Sequence, residues 1–122
     1  MSDVTETGAA SVELALLIPV VVLVILAVAE IAVVARVQLE VVNAAREGAR
    51  EAATSPDSSV AVAAAAAVLG DAAGAARITV SRPHAVGAPA RVEVILPHRL
   101  ASIVFGGMTV EVRGRATMRV EQ

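Results

Sequence analysis

A chain of 122 residues with a net charge of −2 and a hydrophobic fraction of 57% has room for one small domain beside a long apolar segment, and not for two domains. It contains no cysteine, which excludes a disulfide framework and cysteine metal sites, and its slightly acidic balance leaves no nucleic-acid footprint. With one Phe and neither Trp nor Tyr, a soluble core has to be assembled from Val, Ile, Leu, Met and Ala, a thin core that a partner would help complete.

Residues 1–8, MSDVTETG, are short, polar and acidic and show no packing pattern, so they read as a leader or a frayed end. Residues 14–35, LALLIPVVVLVILAVAEIAVVA, form an apolar run of 22 residues. As a helix it would measure about 33 Å, against about 30 Å of bilayer hydrocarbon. The run predicts a single transmembrane helix, assigned to residues 9–36, with Pro19 in the first turns where a membrane helix absorbs a lost hydrogen bond locally.

Two carboxylates bracket this run. Glu13 stands at its mouth, five residues after Gly8, where a charge beside hydrocarbon is costly unless something offsets it. Spacing alone leaves two readings for it, an interfacial residue at the membrane border or a group that neutralises a charge. Glu30 lies near the far end, with Val33 and Val34 at the helical pairing positions and Arg36 six residues away, so its own helix offers no partner. It reads either as a contact with a partner inside the membrane or as a side chain snorkelling to the outer interface.

No Gly or Pro interrupts the chain from Val37 up to Gly48, and the helix is expected to continue as a stalk over residues 37–54. On a helical wheel Arg36, Glu40, Asn43, Glu47, Arg50 and Thr54 share one side, flanked by Arg46 and Glu51, with Leu39 an apolar exception. Val41, Ala45, Gly48 and Ala52 form a small-residue stripe opposite, and Glu30 projects toward the same side as that stripe. The pattern predicts a packing face that begins inside the membrane. Asn43, Arg46, Glu47 and Arg50 are candidate stalk contacts, or simply the solvated face of the stalk.

A small extracytoplasmic domain is expected over residues 55–122. Ser55-Pro56 reads as a helix start, with Ser55 as N-cap and Asp57 adding a favourable charge in the first turn, so a second helix is predicted over residues 56–76. Its packing face is read as Val60, Ala63, Ala64, Ala67 and Val68, with Gly70 and Gly74 weakening its end. After Arg77 the period becomes two. Ile78 and Val80 alternate with Thr79 and Ser81, and Val92, Val94 and Leu96 with Arg91, Glu93 and Ile95, with residues 83–89 as the joining loop. In the last stretch Val110, Val112, Ala116, Met118 and Val120 share one face, and Gly114 is a place for the strand to bend. Leu100, Ile103 and Val104 have the spacing of one helical turn before Gly106-Gly107. The expected fold is α+β: a long N-terminal transmembrane helix continuing into a stalk, an Ala-rich second helix, and a three-stranded antiparallel sheet covered on one face by helices.

Nothing in the chain points to catalysis. Glu13 and Glu30 would lie about 25 Å apart along a helix, too far for an acid/base pair. His84 and His98 each follow a proline in expected loops, with no carboxylate or cysteine cluster beside them to hold a metal. No phosphate-binding loop or nucleophile elbow occurs, so neither an enzyme nor a cofactor is expected.

A Gly followed at the fifth position by Glu, and then by an apolar helix, is the substrate pattern of prepilin peptidases, which here would cut between Gly8 and Ala9. GAASVELALLIPVVVLVILAVAE, the downstream NAAREGAREAAT and a β-rich tail closing in ATMRVE together closely resemble the TadE-like family of tight-adherence (Flp) pilus assembly proteins. The resemblance runs over residues 8–54, is softer over residues 55–107 and returns at the C-terminus. It implies a minor pseudopilin of a type IVb system in the cytoplasmic membrane, processed by a membrane aspartic prepilin peptidase. The implied partners are an export platform, an ATPase and the major pilin. Residue by residue, it implies that Gly8 and Ala9 flank the scissile bond and that Glu13 is the recruitment carboxylate, set to neutralise the new amine of a neighbouring subunit.

The sequence departs from the family pattern in its leader, which carries no Lys or Arg before Gly8. Arg36, Arg46 and Arg50 on the other flank favour, by charge alone, the orientation opposite to the cytoplasmic N-terminus that the resemblance implies. A different class also stays open, in which Ala27-Val28-Ala29 is a signal-peptidase site releasing a soluble binding domain, although a basic n-region is missing and the product would begin with apolar residues. An unprocessed single-pass membrane scaffold is the third reading.

Overall fold

The computed structural model of the protein describes residues 2–101 and 103–121; Met1, the first residue of the expected leader, lies outside them. Helix α1, Ser2–Thr54, is one unbroken element of 53 residues that contains Pro19. Its length is about 80 Å. Helix α2 (Ser58–Leu69) follows, then a 3-10 segment (Gly70–Ala75) and strands β1 (Arg77–Ser81), β2 (Pro89–Arg99) and β3 (Thr109–Arg119). A short 3-10 turn, Ile103–Phe105, interrupts the β2–β3 connection where one helical turn is expected. The strands pair antiparallel in the order β1-β2-β3, so the α+β architecture with a three-stranded antiparallel sheet is present.

The core is built almost wholly from Ala and Val. Val41, Ala44, Ala45, Ala49 and Ala52 of α1 are completely buried, together with Ala61 and Ala65 of α2 and Ala90 and Val94 of β2. Side chains this small bury little area each, so cohesion depends on backbones coming close. Gly48 is the point where three layers meet: a Cβ there would stand 3.1 Å from a Val92 methyl, 3.2 Å from Ala65 Cβ and 3.3 Å from the Ala61 carbonyl. Gly114 is tighter. A Cβ on it would lie 2.7 Å from the Val41 carbonyl oxygen, a backbone atom that cannot turn away.

Several sequence expectations are corrected. Asp57, not Ser55, caps α2: its Oδ1 accepts from the Ser59 N–H at 2.9 Å and from the Ser59 hydroxyl at 2.7 Å. Ser55 still belongs to the end of α1, its N–H donating to the Glu51 carbonyl, which delays the new helix by a few residues. The helix stops at Leu69 because Gly70 takes φ 59° while its N–H returns to Ala66. The face of α2 that packs is Ala61, Ala65 and Leu69; Val60, Ala63, Ala67 and Val68 are exposed and Ala64 is half-buried. Against a partner as close as Gly48, the row with the smallest side chains wins, and periodicity cannot select it when Ala occupies nearly every position.

Strand β2 is longer than its alternating core, beginning at Pro89 and running through His98, so that histidine lies on a strand and not in a loop. Strand β3 pairs without a bulge through Val94↔Gly114, and the glycine admits Val41 where a bend was expected. Met118 remains 37% exposed because β3 is an edge strand with one open flank.

Strand β3 climbs alongside α1. Going up, the Glu30 carboxylate meets the Ala101 amide, Gln38 Nε2 donates to the Arg113 carbonyl at 2.7 Å, Val41 meets Gly114, and the Glu121 N–H donates to the Ala53 carbonyl at 2.9 Å. Helix residues 30–53 and strand residues 110–120 cover nearly the same distance, about 33–35 Å. The sheet therefore stands parallel to the helix axis, with the β2–β3 tip level with Glu30.

Gly114→Ala should destabilise the domain by about 1–3 kcal/mol, the usual cost of overpacking. Gly48→Ala should be close to neutral, because its contacts can yield by tenths of an ångström and the helix gains about 1 kcal/mol of propensity. Urea unfolding of the two variants measures both. The Asp57 carboxyl is held below its ordinary pKa by the Ser59 hydroxyl and N–H. A lowered carboxylate pKa adds stability at neutral pH that disappears as pH falls through the folded-state value. Asp57→Asn should therefore flatten that part of the acid dependence in thermal melts while keeping a cap.

Candidate functional site

From Val12 to Leu26 the large apolar side chains of helix α1 are exposed all round, Leu16 by as much as 70%. A helix apolar on every side is satisfied only by an apolar surrounding, whether lipid or other helices. The α1 helix is long and apolar enough to cross a membrane. The helical segment 58–75 also passes that test of length and composition, but Ala61, Ala65 and Leu69 hold it in the domain core.

Gly8 and Ala9 lie just before this stretch of α1 and Glu13 lies on it, and all three are exposed. The Ser11 hydroxyl donates to the Thr7 carbonyl at 2.9 Å, spanning the Gly8–Ala9 bond on one turn. Access to the Gly8 carbonyl requires that turn to open. Glycine favours that opening, since it costs a helix about 1 kcal/mol relative to Ala, and a Cβ at Gly8 would meet nothing within 4 Å.

Glu30 finds its partner within the chain. Its Oε1 accepts the Ala101 N–H at 2.9 Å, at the edge of an apolar groove of about 480 Å³ between α1 and the β2–β3 tip. Ile31, Val34, Leu100, Phe105 and Val110 line it. This link joins residues far apart in the sequence, and no local signal at Glu30 announces it.

Residues 37–54, read as a stalk, are the central helix of the domain, with the Val41, Ala45, Gly48 and Ala52 stripe buried as expected. Asn43, Arg46 and Arg50 are exposed on the opposite side and Glu47 is half-buried. Arg50 pairs with Glu47 and Arg36 with Glu40, each at 3.7 Å. Exposed pairs of this kind contribute little. The four candidate contacts share a helix face but do not converge on a pocket. His84 and His98 are not brought together either, one lying in the loop before β2 and the other at its far end.

The outer face of the sheet is a feature the alternation of residues implies but whose sum is visible only in the fold. It carries Arg77, Arg91, Arg99, Arg113, Arg115 and Arg119 against Glu93 and Glu111. Glu93 accepts from Arg115 across the strands. Glu111 accepts from Arg113 at 2.8 Å, a hydrogen bond and charge that hold that guanidinium more basic than usual. A chain of net charge −2 thus presents one basic wall.

The family model described as TadE-like protein matches residues 8–50, from the glycine of the candidate cleavage site through Arg50 of α1. No curated protein and no solved structure matches the chain.

Glu30→Ala should free the Ala101 amide and cost about 1.5 kcal/mol, the low end for a hydrogen bond to a charged group because the side chain is only half-buried. Amide exchange at Ala101 should quicken while exchange in β2 and α2 stays unchanged, which hydrogen-exchange mass spectrometry would resolve.

Proposed function

We propose that this TadE-like chain is a minor pseudopilin of a tight-adherence pilus assembly system, cleaved between Gly8 and Ala9 by a prepilin peptidase. It would act through subunit packing and not through catalysis. The observation that carries this reading is the family match beginning at Gly8, on a helix whose following apolar stretch leaves its large side chains exposed. In a bundle of such helices, the Glu13 carboxylate lies within reach of the amine that cleavage creates at residue 9 of a neighbour. Neutralising that charge offsets the cost of carrying a carboxylate into an apolar layer.

The N-terminus is assigned to the cytoplasm, with the α+β domain outside the cytoplasmic membrane and the platform, ATPase and major pilin as partners. Arg36, Arg46 and Arg50 oppose this by charge. The assignment follows instead from the peptidase reading, which requires the leader on the cytoplasmic side, and a short acidic leader carries little topological force of its own. A second reading, signal-peptidase cleavage after Ala29, has one observation in its favour: the core residues of α1 lie from Val37 onward, so that cut would keep them and the Glu30–Ala101 bond in the product.

The N-terminal residue of the protein taken from its native membrane separates these readings. Ala9 is expected; Glu30 would mean a released domain, and Met1 or Ser2 in the presence of the peptidase an unprocessed anchor. Glu13→Ala should leave the protein folded and membrane-bound but abolish its incorporation and pilus production, and normal pili from that variant would refute the assembly role.

A further inference from the structure

The apolar run of α1 continues to Ala35, yet the β2–β3 tip already meets the helix at Glu30. Five residues of helix correspond to about 7.5 Å. The tip therefore reaches that far down alongside helix that is apolar enough to lie in hydrocarbon.

Its composition suits that depth. Between Arg99 and Glu111 the sequence contains no charged residue. Val104 is 40% and Met108 58% exposed, and the only aromatic residue of the chain, Phe105, lines the groove beside Ile31 and Val34. Taken with the bare helix below, these side chains extend one continuous apolar surface sideways from α1. Some of the polar groups that would suffer there have partners: the Ala101 N–H donates to the Glu30 carboxylate, the Leu100 N–H to the Met108 carbonyl and the Met108 N–H to the Phe105 carbonyl. Arg99 precedes the tip and lays its guanidinium against Gly107, and Arg36 is exposed one residue past the apolar run. Both stand where lipid phosphates would be.

We infer that the β2–β3 tip is a membrane-interface element, with Val104, Phe105 and Met108 seated in the phospholipid layer that α1 crosses. The inference rests on the membrane-anchor reading of α1. It gives the domain a second foothold on the bilayer, so that the sheet stands upright on the membrane instead of swinging on a single helix.

The chain lacks tryptophan, so Phe105→Trp in the full-length protein provides a sole reporter. Met108→Trp is a second reporter at a more exposed position, Leu23→Trp reports on the anchor, and Val86→Trp, at a loop residue that is 71% exposed, reports on solvent. The proteins are placed in phosphatidylethanolamine/phosphatidylglycerol vesicles whose acyl chains are brominated near the headgroup. The tip reporters should be quenched by bromine several-fold more than the Val86→Trp reporter, and shielded from aqueous iodide. Quenching by iodide like the Val86→Trp reporter, with the Leu23→Trp reporter still quenched by bromine, would overturn the inference and leave the anchor standing. Shielding from iodide without quenching by bromine would mean that protein covers the tip, which also overturns it. Escape of the Leu23→Trp reporter from bromine would overturn the anchor reading itself.

Discussion

The fold depends on how closely α1 can approach the sheet. The Val41 carbonyl lies where a Cβ on Gly114 would be, and Gly48 admits both Val92 and Ala65 at the junction of helix, helix and strand. A core of Ala and Val gains little from each side chain, and dispersion falls off steeply with distance. Cohesion then comes from backbones held near contact over a long seam. The seam runs from Gln38 to Ala53 on α1 and from Arg113 to Glu121 on the chain leading out of β3. Larger side chains along it would push the layers apart, which explains a sequence that is rich in alanine and nearly free of aromatics.

That seam makes α1 a shared element. Its lower half is dressed for an apolar surrounding and its upper half is the spine of the α+β domain, with no break or positive φ in the described helix between them. The three readings of the N-terminus differ only in what happens below Glu30. The core residues of α1 lie from Val37 onward and the Glu30–Ala101 bond just below them, so processing at Gly8 removes none of these contacts.

Much of this was legible in the sequence because it rests on local rules. The apolar run, the switch to period two after Arg77, the inward faces of β2 and the stripe of Val41, Ala45, Gly48 and Ala52 all follow from spacing, and all are in the structure. Where local rules gave equal answers, they failed. In α2 nearly every position is small, so the wheel could not choose between the Ala61–Ala65–Leu69 row and its neighbours; Gly48 on another helix made the choice. The cap moved from Ser55 to Asp57 because the end of α1 still claimed Ser55. At the candidate site, Gly8 and Glu13 were visible through their spacing. The partner of Glu30 and the basic wall were not, since each depends on strands brought together from distant parts of the chain.

A spine without a hinge has a geometric consequence. Because the sheet is welded along α1, the azimuth of the helix in any assembly also sets the direction in which the arginine face looks. Successive residues on a helix are displaced by about 100° around its axis and 1.5 Å along it. A neighbour that grips the apolar half one residue out of register would therefore turn the basic wall through more than a quarter circle while hardly changing its height. Register in the bundle below and heading of the domain above become a single screw coordinate, and selecting one selects the other.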